Sequence, residues 1–132
     1  MLRALNKLLR TDGRVAFTTI HVSPGLSAAD RRRAYRSGPR AVASRLSQRR
    51  LLEASGFDDI DELDVTGAFV ATARAWIELR ARHRDELAAL EAPGVFDQRQ
   101  ADHRAQLAAT EAGLLRRSIL SGVRRARPRS LR

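Results

Sequence analysis

There is no cysteine in the 132 residues, so disulfides and thiolate metal ligands are excluded from the outset. Lysine is nearly absent as well: of the 25 basic residues only Lys7 is not arginine. Apolar runs extend over a few residues at most, far short of the ~20 that a membrane-spanning helix requires. The opening MLRALNKLLRTDGR is amphipathic and lacks the continuous apolar stretch of a secretory signal. Together these absences predict a cytoplasmic chain with no membrane span. The length predicts one domain over residues 1–124, followed by a basic tail at 125–132. Abundant arginine and alanine, both encoded by GC-rich codons, read as the product of a GC-rich, bacterial genome. The net charge of +10 is discounted accordingly as a functional signal.

The distribution of charge is more informative than its sum. Residues 1–50 carry 12 basic and 2 acidic side chains, while residues 51–132 carry 13 of each. Within the second part, 51–64 has six acids and no base, and 116–132 has seven arginines and no acid. A basic front, an acidic patch and a basic tail suit mutual attraction within the fold. They also suit contact with RNA or an acidic partner.

Hydrophobic periodicity predicts the elements. Leu2, Leu5, Leu8 and Leu9 are spaced as one face of a helix over 2–10, and Thr11-Asp12-Gly13 is a turn. RVAFTTI from Arg14 reads as a buried strand ending in the loop Val22-Ser23-Pro24-Gly25. Ser27-Ala-Ala-Asp30 resembles a capping box for a short basic helix to about Tyr35. A second helix is predicted from Ala43 to Ser55, with Leu46, Leu51 and Leu52 inward and Gly56 as its stop. FDDIDELDV suits an acidic edge strand. One long helix should then place Phe69, Ala73, Trp76, Ile77, Leu87 and Leu90 on one face, interrupted by Arg80 and Arg84, up to Pro93-Gly94. Asp97 should cap a further helix to Ala112, before a final strand, LLRRSILSGV. The expected fold is α/β, with a small three-stranded mixed sheet built from strands near 14–21, 57–65 and 114–124.

The junction LNKLLRTDGRVAFTTI resembles the helix-to-fifth-strand junction of class I S-adenosylmethionine-dependent methyltransferases, with Leu8-Leu9-Arg10-Thr11-Asp12-Gly13-Arg14 against the family's "L-R-x-G-G-R". QRRLLEASGFDDIDELDV resembles the helix ending in "A-G-F" before the sixth strand. GLLRRSILSGVRR resembles the closing antiparallel seventh strand, and Ala68 to Ala112 the helical insertion of a bacterial subgroup. The resemblance implies a partial Rossmann-like methyltransferase fold with strand 114–124 in the middle, antiparallel to both others. It implies methyl transfer from S-adenosylmethionine to a small molecule in a complete relative. The family's glycine-rich cofactor loop and ribose-binding carboxylate have no counterpart here. No G-x-G-x-x-G occurs among the eight glycines, and a backbone approaching the cofactor closely needs glycine. The resemblance therefore implies a truncated, substrate-side portion that binds no cofactor and is inactive alone. Its partner would be a complementary N-terminal half or a second copy, since Val15, Phe17 and Ile20 would border an open strand edge with wet apolar faces.

His21 and Ser23 lie at the C-terminal end of the first strand, where open α/β sheets bind ligands, and are the candidate substrate contacts. No catalytic residue is assigned. Arg31, Arg32, Arg33, Arg36 and Arg40 form a basic cluster suited to phosphate, but Tyr35 is the one nearby ring, so no stacking platform accompanies it. His83-Arg84-Asp85 copies a kinase catalytic-loop triplet without its supporting motifs and reads as mid-helix surface. His83 and His103 lack a metal-ligand pattern. The acids Asp58, Asp59, Asp61 and Glu62 read as edge-strand solubility rather than acid–base machinery. The alternative function is a small basic protein binding RNA or an acidic partner.

Overall fold

The computed structural model describes residues 1–39 and 46–125. The elements are α1 (Leu2–Leu8), β1 (Arg14–Val22), α2 (Ala28–Ser37), α3 (Gln48–Glu53), β2 (Phe57–Asp64), α4 (Thr66–Arg82), α5 (Arg84–Leu90), α6 (Val95–Glu111) and β3 (Leu115–Arg124). The strands form one sheet in the order β1-β3-β2. β2 runs antiparallel to β3, with Phe57 opposite Arg124 and Asp64 opposite Ser118. Bonds at the two ends of β1 give it the same sense: the Ser23 N–H donates to Leu114 O at 3.0 Å, and the Arg124 N–H to Gly13 O at 2.8 Å. The last strand is therefore central and antiparallel to both others, as the resemblance implies. The sheet is thus antiparallel rather than mixed as expected, because the central strand runs opposite to both of its neighbours.

The described residues divide into two compact units. One comprises residues 1–19, 46–64 and 118–125. Leu52, Phe57 and Leu120 have no exposed surface and form its core with Ile60, and Leu2, Leu9, Val15 and Phe17 pack around them. Phe57 and Ile60 can share a face three residues apart because β2 slips register between Asp58 and Asp61. Asp59 takes φ +46° at that bulge. Gly56 ends α3 at φ +87°, and a Cβ there would lie 3.1 Å from Asn6 Nδ2. Its carbonyl accepts from Asn6 Nδ2 at 2.9 Å and from the Arg125 N–H at 2.9 Å, which ties both ends of the unit to one turn.

The other unit comprises residues 20–39 and 65–117. Ala34, Ala109, Leu114 and Leu115 form its core, with Ile20, Val22, Leu26 and Tyr35 packed against it. Ser27 caps α2 as its sequence suggests: its hydroxyl accepts from the Asp30 N–H at 3.1 Å and donates to the Asp30 carboxylate at 2.9 Å. Where β2 ends, Thr66 Oγ1 takes over and accepts from the Arg117 N–H at 3.0 Å. α6 packs against α2, α4 and α5.

Several expectations change. The predicted helix from Ala43 begins, among the described residues, at Gln48; Ser47 caps it, and Leu46 is 46% exposed rather than inward. Residues 43–45 lie outside the described set. The long helix breaks at His83, so α5 is separate and the kinase-like triplet straddles a helix junction. Its inward face is Phe69, Ala73, Ile77 and Arg80, while Trp76 is 52% and Leu90 84% exposed. Gly94, at φ +78°, occupies the cap position of α6, and Asp97 sits within its first turn. Val15, Phe17 and Ile20 are not wet: each is half-buried against a core. The chain thus covers more of the first strand's apolar face than its exposed edge position suggests.

Two outcomes test this architecture. Phe57→Ala should cost about 3–5 kcal/mol in denaturant unfolding because it opens a cavity in a fully buried site. Leu63→Ala, at a position 61% exposed, should change stability by no more than about 0.5 kcal/mol. Asp58 and Arg125 form a bidentate pair at 2.6–2.9 Å. That hydrogen bonding, reinforced by charge attraction, holds the Asp58 carboxyl below the ordinary aspartate value of 3.8. The pair's contribution is present above that ordinary value and is lost as pH falls through the lowered one. A carboxyl-carbon NMR titration should place the Asp58 midpoint below 3.8, and Arg125→Met should move it up.

Candidate functional site

The end of β1 is held from one side. Ile20 and Val22 enter the core with Leu114, Leu115 and Ala109, and the backbone bond from Ser23 to Leu114 closes the strand end. Strand alternation assigns His21 and Ser23 to the face opposite those apolar anchors. His21 is half-buried, with Nδ1 3.2 Å from its neighbour's carbonyl, Val22 O. Ser23 is 7% exposed, and its Oγ has no hydrogen-bond partner among the described residues. A buried hydroxyl without a partner costs roughly 1–3 kcal/mol. Pro24 and Gly25, the latter at φ +74°, then turn the chain into α2. The structure thus brings the two sequence-predicted contacts together at one strand end and leaves one of them with bonding capacity unused.

The arginine cluster is dispersed by the helix. Arg31 Nη2 donates to Leu26 O at 3.3 Å, and Arg33 Nη1 pairs with Asp30 at 2.9 Å. Arg33, Arg36 and Ser37 line an open pocket of about 310 Å³ whose floor is Ala105, Ala108 and Leu114. Arg40 lies outside the described residues. His83 pairs with Glu86 at 3.5 Å on the surface, and no group of three potential metal ligands gathers among the described residues. The β2 acids Asp58, Asp59, Asp61 and Glu62 are exposed. No helix among the described residues is long and apolar enough to cross a membrane.

Sequence reasoning missed a buried polar group in the helices. Arg80, assigned to an interruption of a helix face, is 9% exposed and pairs with Glu91 at 3.4 Å. Its guanidinium carbon lies 5.0 Å from the Phe96 ring centroid. Gln100, 4% exposed, donates from Nε2 to Ile77 O at 2.8 Å. The available signal was the spacing of Phe69, Ala73, Ile77 and Arg80, which keeps one face through the arginine.

Neither a family model nor a curated protein matches the sequence. Solved structures do match. Phosphoethanolamine N-methyltransferase 2 of Haemonchus contortus, in complex with S-adenosyl-L-methionine, superposes with TM-score 0.71 at 18% identity, over 95% of this chain and 29% of that one. A Galdieria sulphuraria protein assigned as a sarcosine dimethylglycine methyltransferase gives 0.72 at 12% identity, over 94% and 46%. The cyclopropane synthase MmaA2 of Mycobacterium tuberculosis gives 0.64 at 14% identity, over 93% and 48%. This is part of a methyltransferase fold. The chain spans less than half the length of each of these structures.

A Cβ on Gly13 would meet Arg10 O at 2.8 Å, and one on Gly56 would meet Asn6. Gly25, Gly94 and Gly113 have positive φ, and nothing lies within 4 Å of a Cβ built there. Gly13 and Gly56 thus serve close protein packing, and Gly25, Gly94 and Gly113 serve turns.

Removing the Ser23 hydroxyl tests the reading of the strand end. Ser23→Ala should leave the stability of the chain unchanged or raise it by up to about 1 kcal/mol, because a buried hydroxyl without a partner is removed. Denaturant unfolding measures this; a loss of more than about 2 kcal/mol would mean that the hydroxyl is satisfied within the chain.

Proposed function

We propose that this chain is the substrate-side portion of an S-adenosylmethionine-dependent methyltransferase acting on a small molecule. The cofactor would supply an electrophilic methyl group to a lone pair of the acceptor, with S-adenosylhomocysteine as leaving group and the acceptor's proton passing to a base or to water. His21 and Ser23 would wall the acceptor, and the cofactor would be held by a complementary N-terminal portion. The observation that carries this reading is the superposition of 94–95% of the chain on two methyltransferases at TM-scores of 0.71–0.72. The unpartnered Ser23 hydroxyl at the strand end supports the substrate-side assignment. The neighbours named for phosphoethanolamine and for sarcosine support a small acceptor. A nucleic-acid role finds less support, since Arg31 and Arg33 already bond within the chain.

The edge position of β1, which among the described residues has β3 as its one neighbouring strand in the sheet, supports a need for a partner. An open edge recruits other chains. Exposed Leu8, at 83%, and Leu63, at 61%, add apolar surface that a complementary portion would cover.

Calorimetry and sedimentation test the proposal. The isolated chain should show no saturable binding of S-adenosylmethionine up to millimolar concentration and should self-associate at low micromolar concentration. Mixing with the product of an adjacent reading frame that carries a glycine-rich cofactor loop should replace self-association by a one-to-one complex and confer cofactor binding. Clear saturation by the chain alone, or a stable monomer with a cooperative melt, would overturn the reading.

A further inference from the structure

Besides Ser23 Oγ, four buried polar atoms of the helical unit find no partner among the described residues, and all sit on α4, on α6 or in the segment between α5 and α6. Phe96, Gln100 and His103 stand at i, i+4 and i+7 on α6, which is one helix face. Gln100 meets α4, where Ile77 O accepts from its Nε2 at 2.8 Å. Arg80, one turn further along α4, lies over Phe96 with its guanidinium carbon 5.0 Å from the ring centroid. Glu91, between α5 and α6, closes the group: its Oε1 accepts from Arg80 Nη2 at 3.4 Å and from Arg99 Nη1 at 2.8 Å. Among the described residues, Arg80 Nε, Glu91 Oε2, Gln100 Oε1 and His103 Nδ1 are buried without any hydrogen-bond partner. Arg80 and Gln100 are themselves at least nine-tenths buried.

The chemistry of these four atoms selects what can satisfy them. Arg80 Nε–H only donates; Glu91 Oε2 and Gln100 Oε1 only accept; His103 Nδ1 does either, according to its tautomer. An anion accepts and would leave both oxygens unsatisfied, facing a carboxylate of its own sign. A metal cation would serve the oxygens but be repelled by the Arg80 guanidinium. Only a molecule that donates and accepts in several directions serves the whole set. Buried waters typically make about three hydrogen bonds to polar groups that are otherwise unsatisfied.

We infer that the seam between α4 and α6 holds resident water, with buried waters satisfying Arg80 Nε, Glu91 Oε2, Gln100 Oε1 and His103 Nδ1. The helices are then held there by a hydrated polar network rather than by apolar contact alone. The water accounts for a buried arginine whose one carboxylate partner is shared with Arg99.

A high-resolution crystal structure of the full chain tests this directly. Water density within hydrogen-bond distance of Arg80 Nε and of Glu91 Oε2 or Gln100 Oε1 is expected. A seam in which Arg80 Nε bonds straight to one of those oxygens with no density between them would overturn the inference. Oxygen-17 relaxation dispersion gives a second measurement, since it counts long-lived buried water. The unmodified chain should show a long-lived fraction that is lost in the double variant Arg80→Leu, Gln100→Leu. An unchanged fraction in a folded double variant would overturn the inference. If that variant does not fold, the crystal structure of the unmodified chain decides by itself.

Discussion

The central position of β3 is the constraint on which everything else rests. β1 and β2 each have β3 as their neighbour in the sheet, so the backbone groups on the inner side of both depend on it. Its side chains do the same for the cores. Leu115 and Leu120 have no exposed surface, yet they belong to different clusters, Leu115 with Ala34, Ala109 and Leu114, and Leu120 with Leu52, Phe57 and Ile60. A single strand thus supplies a fully buried residue to each core. The pairing is also distant in sequence, since Gly13 bonds to Arg124. Loop closure over such a span must precede the reward from the contacts, which slows folding and leaves β1 and β2 unpaired until β3 arrives.

Much of this was legible from local chemistry. The β-branched run in β1, the Ser27 cap and the glycine at 56 each force one local geometry, and each appears where the sequence puts it. The misreadings share a physical origin. His83 breaks a helix without glycine or proline, so no local residue announces the break. Trp76 and Ile77 are neighbours about 100° apart on a helix, and only the packing of α6 decides which one turns inward. Arg80 misleads because arginine is almost never fully buried unless paired, and its partner Glu91 belongs to a separate segment. The candidate substrate contacts followed from a topological rule about strand ends, whereas the polar seam depends on helix pairing that no single segment encodes.

The two units solve stability differently. Residues 1–19, 46–64 and 118–125 bury an aromatic and three aliphatic side chains, each worth roughly 1.5–3 kcal/mol. In the helical unit the core proper is two alanines and two leucines, a smaller apolar volume. Phe96 adds to it, and Arg80 and Arg84 lie over its ring. A cation over an aromatic ring contributes about 0.5–2 kcal/mol, and the Arg84 bond to Asp97 at 3.0 Å fastens the same turn from outside. Polar fastening there replaces the apolar filling that short alanine side chains cannot supply.

Unsatisfied polar atoms in a folded chain call for an explanation, because each consumes part of a stability of only about 5–15 kcal/mol. The chain shows two kinds. Around α4 and α6, a donor, two acceptors and an ambivalent imidazole nitrogen are left over among the described residues. Such a set is complementary within itself, so a small molecule that donates and accepts removes the cost without any external partner. Ser23 is different. Its hydroxyl is the one such atom at the end of β1, and no complementary orphan accompanies it there. This asymmetry sets the seam, where donors and acceptors are both left over, apart from the strand end, where one hydroxyl stands by itself among the described residues.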